Sequence, residues 1–166
     1  MNIFVLDECP NASARVQIDK HVVKMPLECA QMLSTALSRH GLDKQTFTRP
    51  GSDEVRNQYK ATHKHHPCTV WAGDTRSNFQ WLGKHAMALC AEYTERYGRV
   101  HRSQGVIEWC IEMSKAIPAG ELTPHAQAMP EEYQTECAVE AYRSYYMAEK
   151  RDIASWKKNQ PEWWGA

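Results

Sequence analysis

The stretch from Ile18 to Arg39 constrains the fold more than any other part of this chain. It holds no glycine, and its residues recur at helical spacing. Val23, Leu27, Ala30, Leu33 and Leu37 fall on one side, with Met25, Cys29, Met32 and Ala36 beside them. His21, Lys24, Glu28, Gln31 and Thr35 form a narrow file on another. A helix on a protein surface spreads charge over a wide solvated face. Here the polar file runs through sequence that otherwise reads as buried, which fits a helix lining a polar pocket. It fits equally a solvated face carrying a Lys24–Glu28 pair at i,i+4. Gly41 ends the helix, and Pro26 is expected to kink or break it.

Further helices are expected from about Asp74 to Tyr97, ended by Gly98, from about Ser103 to Ala116, and from Glu131 or Val139 to about Trp156. Ile3 to Leu6 reads as a very short strand or extended segment, and Pro10 to Ser13 as a short helical turn. Residues 42–68 read as loop, with a turn at Pro50-Gly51 and a helix from Ser52, as N-cap, to about Lys60. Residues 117–130 carry Pro118, Gly120, Pro124 and Pro130, so that stretch reads as a loop. The expected architecture is mainly α, a compact single-domain helical bundle with long loops spanning residues 1–166.

Composition narrows the function classes. With 42% hydrophobic and 24% charged residues the chain is globular. No apolar run approaches the roughly 20 residues that cross a membrane, and the start lacks a basic leader, so a cytoplasmic monomer is expected. None of the six cysteines sits in a Cys-x-x-Cys pair, and Cys29, Cys90 and Cys110 read as small buried hydrophobes. Twenty basic residues balance twenty acidic ones, which argues against a strongly electrostatic, non-specific nucleic-acid binder. No glycine-rich phosphate loop, dinucleotide fingerprint, nucleophile elbow or deaminase signature is present, and no cofactor is expected.

Four constellations carry chemistry. Asp19, His21 and Glu28 share the first helix, and a carboxylate facing an apolar wall needs a partner. His63, His65, His66 and Cys68 crowd one loop too tightly for a closed tetrahedral site, so no metal is expected. That loop fits a phosphate or base contact through His63 and His65, or an ordinary basic loop. Tyr142, Tyr145 and Tyr146 interleave with Arg143, Lys150 and Arg151, as bases and phosphates require. The same spacing fits tyrosines in a helical core, with at least two of the three buried. The loop around His125 and Gln127 is placed to line a site, without naming a reaction.

The trio Asp19-x-His21-x6-Glu28 resembles the phage-type pyrimidine-dimer DNA glycosylases. The aromatic tail, Trp156 and Pro161-Glu162-Trp163-Trp164, is similar to theirs. The chain also resembles phage proteins with the same Asp-Lys-His-Val-Val-Lys-Met opening at residues 19–25. The resemblance implies a compact helical DNA N-glycosylase in base-excision repair, with a lyase step. It implies Glu28 as catalytic carboxylate and the α-amine of Met1, or a water, as nucleophile. His21, Lys24 and Gln31 would line the pocket, Asp19 would orient His21 or cap the helix, and His63, His65, Arg143 and Lys150 would touch phosphate. The chain departs from the family at three points. Leu27 and Gln31 flank Glu28 where the family carries arginines, the net charge is zero where the family is basic, and Asn2 is bulky where the family has a small residue. Two alternatives stay open: a phage enzyme acting on a free nucleotide or modified base, and a non-catalytic binding protein antagonising a host factor.

Overall fold

A computed structural model describes residues 1–165. Its helices are α1 (Pro10–Arg15), α2 (Asp19–Arg39), α3 (Pro67–Asp74), α4 (Arg76–Tyr97), α5 (Gln104–Glu112) and α6 (Ala138–Glu149). One antiparallel pair of short strands, β1 (Thr46–Thr48) and β2 (Val55–Asn57), is the sheet among the described residues. The chain is therefore mainly α. The two long helices, α2 and α4, pack on each other, and α1, α3 and α5 surround them. Gly83 on α4 lets α5 come close, since a Cβ there would meet Ile111 Cγ1 at 2.8 Å. Gly98 closes α4 in the left-handed conformation, its N–H bonded to the Thr94 carbonyl.

Residues 3–6 are neither helix nor strand, yet all four are buried. Buried backbone needs partners, and side chains supply them. Asn2 Oδ1 accepts from the N–H groups of Ile3 and Phe4. Ser13 Oγ accepts from Leu6 N–H, and Gln17 Nε2 donates to the Ile3 and Phe4 carbonyls. Arg143 Nε donates to the Leu6 carbonyl at 2.9 Å. The N-terminal segment is thus threaded through the core and gripped from α1, α6 and the α1–α2 turn.

Three expectations are corrected. Residues 52–60 form no helix. Val55–Asn57 pairs with Thr46–Thr48, Ser52 Oγ accepts from Glu54 N–H inside the turn, and Phe47 stacks on Trp109 at 4.6 Å. The capping signal at Ser52 serves the turn, and β-branched residues with an aromatic stack make the strands. Next, the helix expected from about Asp74 to Tyr97 forms as α4, but α3, a helix not expected from the sequence, precedes it and begins inside the expected loop. His66 caps α3, Pro67 takes its first position, and Thr75 Oγ1 caps α4. Finally, Val23 and Leu27 are 43% and 40% exposed rather than buried. The segment from Gln58 to Thr62 covers the second half of α2 through the Ser34 carbonyl and the Thr35 hydroxyl, and leaves the side chains of Val23 and Leu27 open to solvent. Pro26 does not end α2, which runs unbroken to Arg39.

Three histidines are held neutral inside this fold. Burial, helped by the charges of Lys150 and Lys24, pushes His21 down to about 3. Burial pushes His85 and His125 each down to about 4. The unfolded chain protonates these groups near 6.5. Their contribution is whole above that value and drains as pH falls toward 4 and then 3. The unfolding midpoint in urea is expected to fall steeply between pH 6.5 and 4. His125→Phe keeps the stack on Trp71 and Trp81, and no hydrogen bond is lost at the partnerless Nε2. That variant should flatten the slope; an unchanged slope would remove His125 from the account.

Candidate active site

The site is built on the threaded N-terminus. The Asn2 side chain sits between four partners: Ile3 N–H, Phe4 N–H, the Ala128 carbonyl and the Tyr142 hydroxyl. This fixes the residue next to the α-amine. Phe4 then adopts φ 58°, the left-handed region that a bulky residue enters only under constraint. Its ring lies on His21 at 4.2 Å. The Met1 side chain is 3% exposed, while the residue as a whole is part-exposed. What solvent reaches at Met1 is therefore its main chain.

The α-nitrogen of Met1 lies 3.0 Å from Glu28 Oε1. The Glu28 side chain is nearly buried, and its second oxygen, Oε2, has no hydrogen-bond partner. Lys24 Nζ approaches Oε2 at 3.7 Å from the solvent side. A buried carboxylate oxygen without a donor is costly. Beside an amine it is also a ready proton acceptor and a site for positive charge.

His66 joins this pair. Its Nδ1 accepts from Cys68 N–H at 3.1 Å, which caps α3 and leaves the neutral ring's proton on Nε2. The Met1 backbone lies close enough to the ring to act on its charge. Burial is the main cause lowering the His66 pKa, followed by the terminal ammonium and His63, while Glu28 and the Met1 backbone oppose the shift. Sequence reasoning places His66 in a loop; Pro67 is the one local signal of a helix start there, and nothing in the sequence shows that its cap faces Met1. Asn2 and Tyr142 escape sequence reasoning for the same reason.

The other predicted residues divide into groups. His21 is buried, and its Nδ1 lies 2.6 Å from the Tyr146 hydroxyl. That hydroxyl also accepts from Ile18 N–H, which ties the His21 ring to the start of α2. Lys150 Nζ lies over the rings of Phe4 and Tyr145, close enough to bias His21. Gln31 lines a shallow groove with Leu27, Tyr59, Lys60 and Thr62. His63 and His65 are exposed, and His65 lines a separate cavity of about 420 Å³ with Lys64, Thr35 and Arg39. Asp19 points elsewhere: its carboxylate accepts from Arg96, Ser155 and the Lys157 N–H. Arg143 is engaged with the Leu6 carbonyl, Asp7 and the face of Trp163. Tyr142 and Tyr146 are core residues, and Tyr145 is part-exposed.

The geometry thus brings together Met1, Glu28, Lys24 and His66, with His21 and Lys150 flanking through Phe4. The family model of the pyrimidine dimer DNA glycosylases matches residues 1–104. The chain belongs to this family. No curated protein and no solved structure matches it. Membership in the pyrimidine dimer DNA glycosylases carries a DNA glycosylase-type function. The matched residues include the N-terminal segment, α2, the loop of His63–His66, α3 and α4, and so contain Met1, Glu28 and His66. Among the described residues no helix is long and apolar enough to cross a membrane, and no group of three or more His, Cys, Asp or Glu is arranged to hold a metal ion.

Proposed function

We propose that the protein excises a damaged pyrimidine from DNA through a covalent step at the α-amine of Met1. The observation that carries this reading is the 3.0 Å contact between that amine and buried Glu28, in a chain of this family. Glu28 takes a proton from the ammonium and frees the nitrogen lone pair. The nitrogen attacks C1′ of the nucleotide, and the glycosidic electrons leave with the base, which takes up a proton. The carboxylate faces the positive charge that develops at C1′. Opening of the C1′–O4′ bond, with a proton delivered to O4′, leaves an imine between Met1 and the sugar. Loss of a C2′ proton then expels the 3′ phosphate, and water hydrolyses the imine to return the amine.

In this reading Lys24 steadies Glu28 and meets a phosphate. His66 holds Met1 by its backbone, and His21 holds Phe4 in its constrained conformation. Lys150, His63 and His65 are the phosphate contacts. Asp19 and Arg143 act through the scaffold, since their polar atoms are already engaged.

Borohydride tests the covalent step. Incubated with DNA carrying a cyclobutane pyrimidine dimer, the protein should become linked to the DNA when borohydride reduces the imine to a secondary amine. Acetylating the α-amine should abolish the adduct. Base release without an adduct would move the nucleophile to a water held by Glu28. Neither adduct nor base release would sink the glycosylase reading and favour a free nucleotide as substrate, which the neutral net charge suits.

A further inference from the structure

Every apolar side chain of α2 is buried except two, Val23 and Leu27. They sit four residues apart, so they form one exposed ridge. Leu27 directly precedes Glu28, which turns inward to Met1 while Leu27 turns outward. Lys20 and Lys24 border the ridge on α2, and Lys60 borders the groove that Leu27 and Gln31 line. Lys20 and Lys60 make no ion pair among the described residues. An apolar ridge bordered by cations, of which Lys20 and Lys60 are unpaired among the described residues, is complementary to a nucleic-acid duplex, whose phosphates flank an apolar stack of bases.

We propose that Leu27, backed by Val23, is a wedge that enters the base stack of duplex DNA beside the nucleotide attacked at Met1 and Glu28. This rests on the glycosylase reading above. Chemistry at C1′ requires the target nucleotide to leave its stack, and unstacking one step costs a few kcal/mol. An arginine at this position would grip a phosphate. A leucine cannot do so, but it fills the space a displaced base leaves. The wedge therefore determines specificity for duplex over single-stranded substrate, and it acts on the stack rather than on the reacting atoms.

The test compares base release from a pyrimidine dimer in duplex DNA and in the same strand unpaired, for the native protein, Leu27→Ala and Leu27→Met. Leu27 is exposed, so an unchanged melting temperature should certify the fold of each variant. Leu27→Ala is expected to lower the duplex rate about tenfold more than the single-strand rate, the scale of a lost contact worth about 1.4 kcal/mol. Leu27→Met should recover most of the difference. A 2-aminopurine beside the dimer should brighten when the native protein binds and brighten less with Leu27→Ala. Equal losses on both substrates, or no loss, would overturn the wedge and leave the glycosylase reading intact. A native protein inactive on both substrates would remove that reading, and the wedge with it. A native dimer that Leu27→Ala converts to monomer, with rates unchanged, would show the ridge to be a self-association face and overturn the wedge.

Discussion

Glu28→Gln is expected to lower base release by about 10²–10⁴-fold, the range for loss of a positioned proton-transfer group. The substitution keeps the length and volume of the side chain, and the amide oxygen can still accept from the Met1 nitrogen 3.0 Å away. What is lost is the negative charge and the ability to take the ammonium proton. The amide nitrogen would occupy the place of Oε2, where no acceptor waits and Lys24 stands at 3.7 Å. An unmade bond of that kind costs about 1–3 kcal/mol, so the melting temperature should fall by a few degrees while the fold persists. Borohydride trapping separates the two roles of Glu28. If the carboxylate only stabilises charge at C1′, high pH restores neither adduct formation nor base release in Glu28→Gln, because a freed amine does not replace that charge. If the carboxylate is the proton acceptor alone, high pH restores base release and adduct formation together, because hydroxide then frees the amine. A variant that keeps more than about a tenth of the native rate at neutral pH falls outside the range for a catalytic acid or base, and Glu28 would lose its central place.

How far such a site is legible in sequence depends on which forces position it. The helix from Asp19 to Arg39 and the end of α4 at Gly98 are readable because periodicity and glycine chemistry are local. Glu28 is readable as an odd carboxylate in an apolar helix, and family resemblance then points to Met1. The partners that hold Met1 are not readable. Asn2, Tyr142 and His66 lie far apart in sequence and meet through tertiary packing alone. The exposure of Val23 and Leu27 also escapes periodicity, since it depends on how far along α2 the Gln58–Thr62 segment reaches. Hairpin β1–β2 is missed for a similar reason: Phe47 finds Trp109 some sixty residues away, and no local propensity reports that stack. Asp19 shows the converse case. Its place in the motif is legible, but its engagement by Arg96 is not.

Arg96→Met is expected to be the most destabilising single substitution outside the apolar core, at about 3–5 kcal/mol. The Arg96 side chain is 0% exposed. It donates to Glu92 Oε1 through two nitrogens, to Asp19 Oδ1, and to the carbonyls of Gln17 and Arg15. Methionine fills much of the volume and satisfies none of these acceptors. The nearly buried Glu92 carboxylate keeps only Asn159 as a donor, and an uncompensated buried charge dominates the cost. At about 2–4 °C per kcal/mol for a chain of this size, the melting temperature should drop by roughly 10 °C or more. Arg96→Lys should fall between the two, because an ammonium keeps the charge but cannot fork to Glu92 and Asp19 together. Adding Glu92→Gln to Arg96→Met should recover part of the loss, since it removes the stranded charge. The effect should also be felt at the C-terminal segment. Asp19 accepts from Ser155 and from the Lys157 N–H, and Trp156 Nε1 donates to the Val16 carbonyl. Loosening Asp19 should therefore change Trp156 fluorescence before global unfolding. If Arg96→Met instead melts within a few degrees of the native protein, the two carboxylates find other partners, and the network is not what ties the C-terminal segment to the start of α2.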